Sequence, residues 1–232
     1  MKTFNAMKKL ALGLAVGGLF AWQAGATIVY NTPSGLVPNQ GGAFAGPWIL
    51  GLDFTVNTGG SVDAIGAYTA SGTFSGTVPV AIYNVDSGLQ VAGTEVNFSG
   101  TMGTLIGQTR YVNIAPVYLA PGTYSVVAAN YGVAGANDNW NAGVANIPPS
   151  GTSLVTFNTV GGALTDGSFR YDYGSGLAFP LSTVGSGAAD PRWSAGSFDF
   201  AVPEASGFAL AGVALLGLVY VGRVYSQKFK IA

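Results

Sequence analysis

Between Thr27 and Val202 no stretch keeps the period of an amphipathic helix; apolar residues return instead at every second position, in short runs. In "WILGLDFTV", Leu50, Leu52, Phe54 and Val56 fall on one face of an extended chain and Asp53 and Thr55 on the other. "VPVAIYNV", "TRYVNI", "TYSVVAANY", "SLVTF", "FRYDY" and "SFDFAV" are further β-branched or aromatic runs. "NTGGS", "DSG" and "APGT" between them carry turn chemistry. The same region holds 28 glycines, well above the average of about 7%. Turns account for them better than disorder, because apolar alternation keeps returning. The expected fold is all-β: about ten short strands in a single antiparallel, jelly-roll-like β-sandwich over residues 27–201. The segment "NIPPSGTS", Asn146 to Ser153, reads as the best candidate for a long exposed loop.

Charge is scarce and uneven. Only 8% of the chain is charged, against a usual value of about 25%. All five lysines, Lys2, Lys8, Lys9, Lys228 and Lys230, lie at the two ends. Between residues 27 and 202 three arginines face eight aspartates and Glu95, a formal charge of −6. A lysine-free acidic surface repels phosphate backbones, which argues against a nucleic-acid partner. The chain has no histidine and no cysteine, so disulfides and thiolate or imidazole metal sites are excluded.

Each end carries its own signal. Lys2, Lys8 and Lys9 precede the apolar run from Leu10 to Ala21, and small residues follow at Ala24 and Ala26. A charged start, a short apolar core and an A-x-A ending make residues 1–26 a secretory signal peptide, cut after Ala26 by signal peptidase following Sec export. Its apolar run would rise only about 18 Å as a helix, too short to cross a bilayer core of about 30 Å. At the other end, Ala205 to Gly222 is a stretch of 18 uncharged residues, about 27 Å of helix, enough to span with little tilt. Glu204 and Arg223 bound it, and Arg223, Lys228 and Lys230 make the following tail, 223–232, positive. The positive-inside rule keeps that tail cytoplasmic and places residues 27 to about 202 outside.

The order Val202-Pro203-Glu204-Ala205, a helix rich in Gly, Ala and Leu, and then a basic residue resembles the PEP-CTERM sorting signal of exported bacterial proteins. The resemblance covers about the last 30 residues, 202–232, with "RWSAGSFDFAVPEA" as the approach. Ala205 stands where the family has its second proline, and the basic tail is spread over "RVYSQKFKIA". The resemblance implies a membrane-embedded cysteine transpeptidase, an exosortase, as partner, and an association with exopolysaccharide or biofilm. Physically, Pro203 ends the last strand and leaves a short extended segment suited to a protease groove. Glu204 complements the positive end of the helix dipole that follows. The stretch "PVYLAPGTYSVVAANY" resembles a hairpin common in secreted bacterial β-sandwiches, carbohydrate-binding modules among them. It implies a turn at Ala120-Pro121-Gly122 and a corner locked by Tyr124.

Catalysis has few footholds here. Without histidine or cysteine there is no Ser-His or Cys-His system. No G-x-S-x-G elbow, P-loop or dinucleotide fingerprint occurs. Two-carboxylate glycoside cleavage is chemically open, but spacing pairs none of the acids; Asp86 and Asp166, each beside a glycine, read as turn formers. The expectation is a non-catalytic exported surface or matrix protein without a cofactor, with a lectin-like module as the alternative. For sugar contact the candidates are Tyr131, Asp138 and Trp140, within the asparagine-rich "NYGVAGANDNWNAG". Sugar C–H faces stack on aromatic rings while amides bond the hydroxyls. An ordinary loop with Trp140 folded down explains the same residues and is the preferred account. A second candidate platform is the row Phe169, Tyr171 and Tyr173, which alternation places on one face, as core packing would also do. One carboxylate without an Asp-x-Asp-x-Asp ladder is a weak calcium signal, so no metal ligand is assigned.

Overall fold

The computed structural model describes residues 25–32, 34, 47–132, 155–186 and 193–203. Every element among them is a strand. In chain order these are β1 (Thr27–Ile28), β2 (Tyr30–Asn31), β3 (Trp48–Val56), β4 (Gly60–Tyr68), β5 (Phe74–Asn84), β6 (Val96–Gly100), β7 (Thr104–Ile106), β8 (Thr109–Leu119), β9 (Gly122–Tyr131), β10 (Thr156–Phe157), β11 (Leu164–Tyr173), β12 (Ser182–Ser186) and β13 (Gly196–Phe200). All pairings are antiparallel. A five-stranded sheet runs β1-β13-β4-β8-β7, a six-stranded one β12-β11-β3-β9-β5-β6, and β10 pairs with β2. The architecture is all-β and fits a β-sandwich, with residues 25–202 forming one unit. The signal segment 1–24 and the apolar segment 205–222 lie outside the described residues, as does 146–153. Among the described residues no helix is long and apolar enough to cross a membrane.

Alternation builds the core as the sequence implies. Leu50, Leu52, Phe54 and Val56 of β3 are buried in the same cluster as Val80 and Ile82 of β5 and Val126 and Ala128 of β9. Val62 and Ile65 of β4 and Phe198 and Phe200 of β13 close it from the other sheet. Phe54 meets Phe198 with ring centroids 4.5 Å apart, and Tyr124 stacks on Phe54 at 5.9 Å. The turn between β8 and β9 falls at Ala120–Pro121, and the Tyr124 hydroxyl donates to the Ala120 carbonyl at 3.0 Å. The corner expected from the hairpin is therefore present, tied by a hydrogen bond four residues back.

Bulges set the phase of several strands. On β9, Trp48 pairs with Tyr131 but Leu50 with Ala128, so one extra residue sits on β9 there. Asn130 absorbs it with φ of 67°, a left-handed conformation that asparagine tolerates better than other non-glycine residues. On β11, Asp166 opposes Phe54 and Phe169 opposes Leu52, again with one residue extra. Asp166 is thus a mid-strand bulge residue and not the turn former its glycine neighbour suggests, whereas Asp86 does lie in a turn. The irregularity at Val62–Ala64 in β4 is held by Asp199, whose Oδ1 accepts from the N–H groups of both Asp63 and Ala64.

Replacing Tyr124 by Phe removes the corner hydrogen bond and keeps the ring stack. Urea denaturation should show a loss of about 1 kcal/mol with an unchanged m-value; an unaltered midpoint would mean the corner is held by packing alone.

Candidate functional site

Four groups of residues bear on function, and the fold places them in different settings. The first is the pair of chain junctions. Ala26 is exposed and β1 begins at the next residue. At the far side Ala201 bridges to Ser61, Val202 packs half-buried against the core, and Pro203 is exposed. Thr27 pairs with Phe200, so both junctions leave one end of the same sheet. Ala24, Glu204, Ala205, Arg223, Lys228 and Lys230 lie outside the described residues.

Tyr131 is not a surface contact. It is fully buried, and its hydroxyl donates to the carbonyls of Tyr68 at 2.8 Å and Ala195 at 3.3 Å. Regular alternation from Val126 and Ala128 would turn it outward; the bulge at Asn130 reverses the phase and sends it into the core. Burial pushes its phenol well above the ordinary value. Tyr131 is therefore removed from any sugar site. Asp138 and Trp140 lie outside the described residues.

A buried ion pair, invisible in the sequence, sits on the outer face of the six-stranded sheet. Arg170 Nε donates to both carboxylate oxygens of Asp53, at 2.8 and 2.9 Å. The segment 174–181 crosses this face: Leu177 and Phe179 pack on Ile49, Ala81, Tyr83, Val127 and Ala129, and the guanidinium carbon lies 4.9 Å from the Phe179 ring centroid. Gly51 makes the close approach feasible, since a Cβ there would stand 2.8 Å from Ser125 Oγ and 3.3 Å from Pro180. Register was the one available clue, because β3–β11 pairing sets Arg170 opposite Gly51, two residues from Asp53.

Three carboxyls are held above the usual carboxylate range, each chiefly by burial. For Asp53 burial outweighs the opposing pull of Ser125 and Arg170. For Asp166 it outweighs hydrogen bonds from the Gly167 N–H and the Tyr30 hydroxyl. For Asp199 it outweighs the N–H groups of Asp63 and Ala64. Asp53 turns to the outer face and its ion pair, while Asp166 accepts from Tyr30 in the core at 3.3 Å, so these register neighbours do not share a cleft. Each carboxyl is committed to holding backbone or side chains in place. Among the described residues no group of three or more acidic side chains could hold a metal ion.

The fourth group is the aromatic row. Phe169, Tyr171 and Tyr173 do share a face, and exposure grows along it from 2% at Phe169 to 61% at Tyr173. Trp193 packs edge-on against Phe169 and Tyr171 at 5.9 and 6.2 Å. Trp48 contacts Tyr171 at 6.2 Å and stands edge-on to Tyr173 at 5.5 Å. Core packing thus explains the inner part of the row and leaves its outer end in water. Sequence reasoning missed Trp48 because it lies at the very start of β3, outside the alternating row Leu50, Leu52, Phe54 and Val56 that marks the strand.

No protein-family model matches the chain, and no curated protein matches it either.

Two outcomes follow from the buried charges. Arg170→Met leaves Asp53 buried and unpaired and should cost about 3 kcal/mol by urea denaturation, while Asp53→Leu combined with Arg170→Met should recover most of it; an additive double variant would argue against the pair. The raised carboxyls make the native state bind protons more tightly than the unfolded chain. Their contribution is complete below the unfolded carboxylate range, near pH 4, and is lost as pH rises through the higher native values. Thermal scans should therefore give a higher Tm near pH 4.5 than near 7.5, with a smaller difference in Asp166→Asn.

Proposed function

We propose that the chain is a non-catalytic exported protein of the bacterial cell surface or extracellular matrix. In this reading it is inserted through residues 205–222 and sorted at the PEP-CTERM-like motif Val202 to Ala205 by an exosortase-like membrane transpeptidase. The observation that carries the reading is the coincidence of two boundaries. Among the described residues the first strand starts at Thr27, directly after the expected signal-peptidase site, and Val202, directly before the exposed Pro203, packs against the core. Ala26 and Pro203 are both exposed at these junctions, and Pro203 has no N–H with which to continue a ladder.

The sheet order supports a jelly-roll assignment for the body. We read β1-β13-β4-β8 and β3-β9-β5-β6 as the two four-stranded sheets of that topology, with β7 added at one edge and β11 and β12 at another. This fold hosts many functions and by itself names none. The non-catalytic reading rests on the composition, which removes imidazole and thiol chemistry, and on the separate structural commitments of Asp53, Asp166 and Asp199.

The test is the intact mass of the mature protein from its native host. A chain starting at Thr27 and ending within Pro203 to Ala205, bare or with an added group, is the expected result. A mass running through Ala232 would replace sorting with permanent anchoring and overturn the transpeptidase as partner.

A further inference from the structure

We propose that Trp48, Tyr171 and Tyr173 form a stacking platform for the pyranose rings of a neutral polysaccharide. The proposal adds a site and a ligand class to the exported-protein reading and rests on it only for where that polysaccharide is met. The bulge between Asp166 and Phe169 turns Phe169, Tyr171 and Tyr173 to the core side of β11. Phe169 is consumed by the core. Tyr173 is not: its ring is 61% exposed, yet Trp48 fixes it from the side at 5.5 Å with the planes at 90°. Tyrosine has only two χ angles and Trp48 packs against one side of this ring, so covering it costs little side-chain entropy. Sugars fit such a ring, since their C–H faces stack on it and their hydroxyls match phenolic O–H groups such as those of Tyr171 and Tyr173.

Charge narrows the ligand to a neutral one. Arg110 donates to the carbonyls of Gly72, Thr101 and Gly103, and Arg170 is paired with Asp53 beneath Phe179. These are the cations among the described residues, and both are engaged internally. Residues 27–202 carry nine acidic side chains against three arginines, so a polyuronate or sulfated chain would be repelled.

Position agrees with this use. β3 runs from Trp48 to Val56, and the following turn brings Ser61 beside Ala201. The platform therefore occupies the end of the sandwich opposite the two junctions.

The experiment is a depletion assay with the full-length chain in detergent against insoluble cellulose and curdlan, with affinity electrophoresis in polygalacturonate alongside. The wild type should be retained by at least one neutral glucan and not retarded by polygalacturonate. Tyr173→Ala should weaken retention about tenfold, the loss of one stacked ring, with Tm lowered by no more than about 4 °C, the share of the lost edge-on contact with Trp48. Tyr173→Phe should keep most of it. Tyr118→Ala, which removes an equally exposed ring on β8, should bind as wild type. Retention by neither glucan, equal retention of Tyr173→Ala and wild type, or tighter binding to polygalacturonate would each overturn the proposal. None of these would touch the sorting reading, which the mature mass decides separately.

Discussion

Phe54 and Phe198 meet across the gap between the two sheets, and the fold is organised around that contact. β3 lies inside the six-stranded sheet and β13 inside the five-stranded one, so each ring is shielded by strands on both sides. Leu52, Val126, Ile65 and Phe200 are fully buried in the same cluster. Truncating either ring would open a cavity costing about 3–5 kcal/mol, a large share of a domain's net stability of about 5–15 kcal/mol. With so few charges on the chain, apolar burial is the main source of cohesion. The Asp53–Arg170 ion pair costs its own desolvation, which burial of Asp53 makes plain.

How much of this was legible in the sequence depended on whether local pattern and tertiary phase agreed. β3 read correctly because its alternation is unbroken from Leu50 to Val56. The β8–β9 hairpin read correctly because turn residues and the tyrosine act within a few positions of one another. Tyr131 was misplaced because one extra residue at Asn130 inverts the phase, and a bulge leaves no periodic trace. Asp166 was misplaced for the same reason on β11. The Asp53–Arg170 pair depended on strand register over a separation of 117 residues, which no local window contains. Of the aromatic row, alternation gave the shared face but not the gradient of exposure, since that is set by where the opposite sheet and Trp193 stop covering it.

The polar interior is built from short side chains that tie backbone to backbone. Tyr111 donates to Ser197, Ser197 donates to the Tyr30 carbonyl, and Tyr30 in turn donates to the Asp53 carbonyl. Burial lifts the Tyr111 phenol to about 12, against the pull of Ser197 and Thr109. Such chains link the N-terminal strands to both main sheets through neutral donors, which suits a body with almost no lysine or arginine to offer.

The pairing of β13 with β1 on one side and β4 on the other has a mechanical meaning. The strand that leads out to Pro203 is bonded along both edges, through Val29 N–H to the Phe198 carbonyl, Tyr68 N–H to the Ala195 carbonyl and Ala201 N–H to the Ser61 carbonyl. A pull on the C-terminal side, opposed by a grip at the far end of the sandwich, runs parallel to β13. Its hydrogen bonds then bear the force together in shear, not singly as in a peeled edge strand. A tether attached there draws on the strongest direction the sheet has.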